Sequence, residues 1–117
     1  MNISIIFFEL NFASSPTRLS NFSAFTFVEA IKSDCSLIDY TKLEPIKFTF
    51  LDVDLYLPTL KTLEKIYDST VEGGVILIDD CLDNNQWDGA YQAYVEFCTK
   101  KSIEQKIIGN KCGVIYK

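Results

Sequence analysis

Two apolar runs that stop at carboxylates constrain this chain more than any other feature. Leu51-Asp52-Val53-Asp54-Leu55-Tyr56 and Val75-Ile76-Leu77-Ile78-Asp79-Asp80 are separated by one amphipathic stretch and a Gly73-Gly74 break. An aliphatic run ending in Asp is how a buried parallel strand delivers charge to the carboxyl edge of its sheet, where open α/β folds place their ligands. Two such ends joined by a helix bring their carboxylates side by side, which predicts a site at that edge.

The rest of the chain supports that frame. Ile46 to Val53 is apolar on both faces, the pattern of a central strand covered on both sides. Pro58 stands at a helix start, and Leu60, Leu63, Ile66 and Tyr67 recur at helical spacing through Ser69. Gly73-Gly74 then opens a second buried strand, Val75 to Ile78. Ala90, Tyr91, Tyr94, Val95 and Cys98 mark another amphipathic helix, ending near Lys100-Lys101, whose charges suit a helix C-terminus. Ile103 to Ile108, a Gly109-Asn110 turn and Cys112 to Tyr116 form a terminal hairpin. Near the N-terminus Ile3 to Phe8 reads as a strand and Ser14-Ser15-Pro16 as a turn or helix start; Phe22 to Ile31 fits either helix or strand. Strand, helix, strand, helix and an antiparallel pair make an α/β fold with a parallel core, read as a single domain over residues 1–117.

Composition narrows the partners. A net charge of -5, from 16 acidic against 11 basic residues, argues against nucleic acid or an anionic membrane surface and suits a cation site. The apolar stretch at Ile3 to Phe8 is too short for a membrane span and a poor signal peptide, so the expected location is cytoplasmic. Cys35, Cys81, Cys98 and Cys112 lack CxxC spacing, and the chain has no His, so zinc is improbable and the cysteines read as buried small hydrophobes.

Hard divalent cations such as Mg²⁺ take oxygen ligands from a few carboxylates and keep other positions for water or substrate. Asp52, Asp79 and Asp80 are the expected metal ligands, and Asp52 or Asp54 the nearest candidate general base. The structural alternative is that Asp79 or Asp80 caps the following segment and Asp54 the helix at Pro58. Tyr56 and Trp87 lie just beyond the two strand ends and are candidates to contact an acceptor, against the plainer reading of aromatic packing.

Phe50 to Tyr56, then Pro58-Thr59, then Glu72-Gly73-Gly74-Val75-Ile76-Leu77-Ile78-Asp79-Asp80, resembles the C-terminal half of the macrocin O-methyltransferase family, in order from about Ile46 to Lys117. The resemblance implies a Rossmann-like class I methyltransferase fold, truncated, with parallel core strands and a C-terminal antiparallel hairpin. It further implies S-adenosylmethionine and Mg²⁺ as cofactors, a hydroxyl of a sugar or other small molecule as acceptor, and the metal at Asp52, Asp79 and Asp80. One departure stands out: such folds hold the cofactor on a Gly-rich loop after the first strand, whereas the first glycine here is Gly73. Residues 46–117 match the family pattern, so the expected domain is incomplete, inactive alone unless a cofactor-binding half is supplied. Two alternatives remain: a non-catalytic module that dimerises through an open sheet edge, and a haloacid dehalogenase-like phosphohydrolase reading the Asp52-Val53-Asp54 and Asp79-Asp80 motifs.

Overall fold

The computed structural model describes residues 4–9, 31–82 and 88–117. The turn expected at Ser14-Ser15-Pro16, all of Phe22 to Ile31 except its last residue, and Trp87 lie outside the described residues. Strands β1 (Ser4–Glu9), β2 (Ile46–Asp52), β3 (Thr70–Ile78), β4 (Lys106–Ile108) and β5 (Cys112–Tyr116) build one sheet in the order β1-β2-β3-β5-β4. The first three run parallel, and β5 lies antiparallel between β3 and β4. The mixed sheet with a parallel core and a closing hairpin is the architecture the sequence implies.

Helix α1 (Tyr56–Ser69) crosses from β2 to β3, and α2 (Gly89–Lys101) leads from β3 to the hairpin. Both helices join one core. Leu63 and Ile66 of α1 and Tyr94 and Phe97 of α2 are fully buried with Leu51, Ile76, Ile78 and Ile115 on the facing side of the sheet. Burial of each such side chain contributes roughly 1.5–3 kcal/mol. The Tyr67 and Phe97 rings meet edge to face at 5.4 Å across the helix pair. On the opposite face Phe48, Phe50, Val75 and Leu77 are half-buried, and the adjoining Tyr116 is exposed.

Besides the start of α1, which lies at Tyr56 and not at Pro58, two boundaries differ from the sequence pattern for local reasons. β3 begins at Thr70, directly after α1, rather than after the glycines. Thr70 pairs with Ile46 and Val75 with Phe48, so extra residues are looped into β3 at a register shift. Gly73 takes the left-handed conformation there, with φ +81, and a Cβ on Gly74 would collide with the Thr70 side chain and come within 2.8 Å of the Val71 carbonyl. The glycines serve an irregularity inside the strand instead of ending a turn. The hairpin's first strand is shorter than its apolar run, because only Lys106–Ile108 finds a partner in β5.

The hairpin is tied down from below by Tyr94. Its buried hydroxyl accepts from the Lys106 amide at 2.8 Å and lies 3.0 and 3.1 Å from the carbonyls of Lys106 and Val114. Burial pushes its phenol up to about 12. At the other end of the sheet Lys117 hydrogen-bonds the carbonyls of Tyr67 and Asp68 at 2.7 and 3.3 Å, satisfying the C-terminus of α1.

Candidate metal and acceptor site

β2 and β3 run in the same direction, so both deliver their last residues to one edge. Asp52 is the final residue of β2, and in the parallel register it lies opposite Glu9, the final residue of β1. The chain then turns through Val53 and Asp54 into α1, with Asp54 in the left-handed conformation at φ 57. β3 ends at Ile78, its neighbour Asp79 donates its amide to the Leu51 carbonyl at 2.9 Å, and Asp80 is again left-handed at φ 53. Aspartate tolerates this region better than most residues, but two such residues at adjoining strand ends are a local cost of the kind that gathers at functional sites.

Those two turns aim carboxylates at each other. One oxygen each from Asp52, Asp54 and Asp80 lie within 4.8 Å of one another. Partial desolvation, then the hydrogen bond and negative charge of Asp80, raise the Asp54 carboxyl above the ordinary aspartate value, while a hydrogen bond with Asp52 pulls the other way. Like charges this close share protons or attract a cation. The donor set, all carboxylate oxygen and open to solvent at Asp54, fits a hard divalent ion.

Asp79 faces a different partner. Lys111, carried by the hairpin turn between β4 and β5, places its ammonium 2.9 Å from Asp79 Oδ1 and 3.6 Å from Asp80 Oδ1. The Cys112 thiol donates to Asp79 at 3.6 Å. Burial alone would raise the Asp79 carboxyl, but hydrogen bonds from Lys111 and the Asp80 amide, with the Lys111 charge, outweigh it and hold the group below the ordinary value. Of the residues expected at the site, Asp52, Asp54 and Asp80 are gathered together, and Asp79 stands beside them held by a lysine. Tyr56, the first residue of α1, turns its hydroxyl to Glu96 of α2 and is partly exposed.

Two contributors escape sequence reasoning. Lys111 sits in a polar turn some thirty residues beyond Asp80, and only the antiparallel return of β5 beside β3 brings it to the edge. Gly89 packs the start of α2 against the turn after β2: a Cβ there would lie 2.7 Å from the Tyr56 amide nitrogen and 3.0 Å from the Asp54 carbonyl oxygen. A glycine opening a helix after a polar loop is the only signal the sequence offers for it.

The fold is that of a methyltransferase-like α/β protein. A macrocin-O-methyltransferase (TylF) family model matches residues 27–117, and the chain belongs to that family. Among solved structures, it is similar to apo CalS11, described as a TDP-rhamnose 3'-O-methyltransferase of calicheamicin biosynthesis, with a TM-score of 0.69 at 19% identity. That likeness covers 96% of this chain and 56% of CalS11. The O-methyltransferase NovP is similar with a TM-score of 0.65 at 20% identity, over 84% of this chain and 42% of NovP. The chain thus spans little more than half the length of CalS11. No curated protein matches it. Family membership leaves the phosphohydrolase alternative without support.

Proposed function

We propose that this chain carries the cation and acceptor edge of an O-methyltransferase acting on a sugar hydroxyl. The observation that carries the reading is the convergence of Asp52, Asp54 and Asp80 within 4.8 Å at the carboxyl edge of a sheet in a chain of this family. Asp52, Asp54 and Asp80 are the residues that would hold Mg²⁺, with Asp79 adjacent as a further carboxylate. When bound, such an ion supplies Lewis acidity to an acceptor hydroxyl.

The chain's own groups then have separable tasks. Asp54 is the exposed carboxylate of the cluster, and partial desolvation and the neighbouring Asp80 raise its carboxyl above the ordinary aspartate value. We assign it the acceptor's hydroxyl proton, taken by the carboxylate oxygen not engaged with Asp52 and Asp80. Asp52 and Asp80, whose oxygens lie within 4.8 Å of that of Asp54, fix the position of the Asp54 carboxylate. Tyr56 and Trp87 remain candidates for contact with the acceptor.

S-adenosylmethionine is the methyl donor that family membership implies, and the described residues fit it poorly. None of the first 72 residues is glycine, and left-handed Gly73 sits at the amino end of β3, away from the acidic edge. The donor is then held by a half supplied from outside the described residues. A test is Mn²⁺ titration followed by calorimetry with S-adenosylmethionine, and then methyl transfer to a TDP-linked deoxysugar, an acceptor chosen from the activity described for CalS11. Mn²⁺ binding that disappears in Asp80→Asn supports the reading; binding indifferent to Asp80→Asn sinks it.

A further inference from the structure

We propose that Lys111 is the resident counter-cation of the acidic edge, and that a divalent ion entering the cluster must compete with it. The inference rests on the metal reading above and adds a residue that sets how tightly the ion is held. Four carboxylates, those of Asp52, Asp54, Asp79 and Asp80, crowd the ends of two adjacent strands. The ammonium of Lys111 lies against two of them, 2.9 Å from Asp79 and 3.6 Å from Asp80, and Asp80 also belongs to the cluster. It therefore stands on the flank of the ion's position, and two cations sharing one carboxylate repel each other.

Its mounting suits displacement. Lys111 follows Gly109 and Asn110, both left-handed at φ 58 and 64, in the turn of a short hairpin, and its side chain is 50% exposed. A lysine ammonium on a flexible stem swings into water readily, and solvent screens this pair from the lysine side, although Asp79 itself is only 12% exposed. Its departure also frees Asp79, the carboxylate that the sequence motif places among the ligands, to face the incoming ion. The same residue thus neutralises the edge when no ion is bound and weakens the ion's hold when one arrives.

The test uses the full chain and Mn²⁺ alone, with free Mn²⁺ followed by electron paramagnetic resonance. Lys111→Met, which keeps the apolar stem and removes the charge, is expected to bind Mn²⁺ about fivefold tighter than the unaltered protein. Lys111→Arg, which keeps the charge, is expected to bind as the unaltered protein does. The gain is expected to vanish when Asp80→Asn is added to Lys111→Met; a gain that persists places the ion elsewhere and overturns the proposal. Unchanged or weaker binding in Lys111→Met also overturns it while leaving the metal reading standing. Binding seen only in Lys111→Met supports the competition and removes the metal reading from the unaltered protein. No binding in either removes both.

Discussion

The fold stabilises the charge of Asp79. Its folded pKa lies below the ordinary value of 3.8, so the group favours folding where it is ionised in both states. That stabilisation is present above the ordinary value and is lost as pH falls through the folded pKa. The Lys111 partner is half exposed while Asp79 is only 12% exposed, so solvent screens the pair from one side and its contribution is on the order of 1 kcal/mol. Asp79→Asn is therefore expected to lower stability modestly at pH 7 and to converge with the unaltered protein in acid. Urea unfolding between about pH 3 and 7 checks this; two curves that stay parallel through that range would contradict it. At this scale the sequence was legible in part. Asp52 and Asp80 are marked by apolar runs that end in charge, but the pairing of Asp79 with Lys111 depends on a turn brought back by the hairpin. The approach of Asp54 depends on left-handed backbone at two positions, a property that no run of residue types announces.

At the scale of elements, periodicity found both helices and the two central strands, because burial of Leu63, Ile66, Tyr94 and Phe97 on one face requires a helical repeat. The start of α1 at Tyr56 and of β3 at Thr70 was not legible: the first is set by the turn through Asp54, and the second by cross-strand pairing to Ile46. Gly89 shows how elements position a site. With Tyr56 and Asp54 backbone atoms where its Cβ would go, no rotamer change can make room. Gly89→Ala is expected to destabilise by about 1–3 kcal/mol through forced backbone displacement, and to weaken Mn²⁺ binding by moving Asp54. Gly109→Ala makes a useful comparison, since a Cβ at that turn meets nothing within 4 Å and its strain comes from φ alone. If Gly89→Ala binds Mn²⁺ as well as the unaltered protein while unfolding earlier, the contact has a structural role only.

For the molecule as a whole, the family match over residues 27–117 and the α/β order agree with the sequence reading from Ile46 onward. The N-terminal pattern was hardest to read because Phe22 to Ile31 mixes aromatic, β-branched and helix-favouring residues with no clear period. Among the described strands, β1 has a partner on one side only, as does β4. β4 is three residues long and carries Lys106, which limits pairing, whereas β1 offers six residues. The chain is therefore expected either to self-associate through β1 or to cover that edge with residues outside the described ones. Sedimentation across a hundredfold range of concentration checks the first, with a proline at Ile6 to block the edge; a monomer throughout, or association indifferent to Ile6→Pro, counts against pairing through β1. β3 is hydrogen-bonded on both flanks, to β2 and to β5. Amide hydrogens at Val75 to Ile78 should accordingly be among the last to exchange with solvent, and those of the Lys106–Ile108 strand among the first. The carboxylates hang from the ends of strands expected to open slowly, whereas Lys111 stands in the turn that follows the strand expected to open first, held there by the Cys81 amide on its carbonyl, so fraying of β4 loosens one side of the lysine's mounting without unfolding what carries the carboxylates.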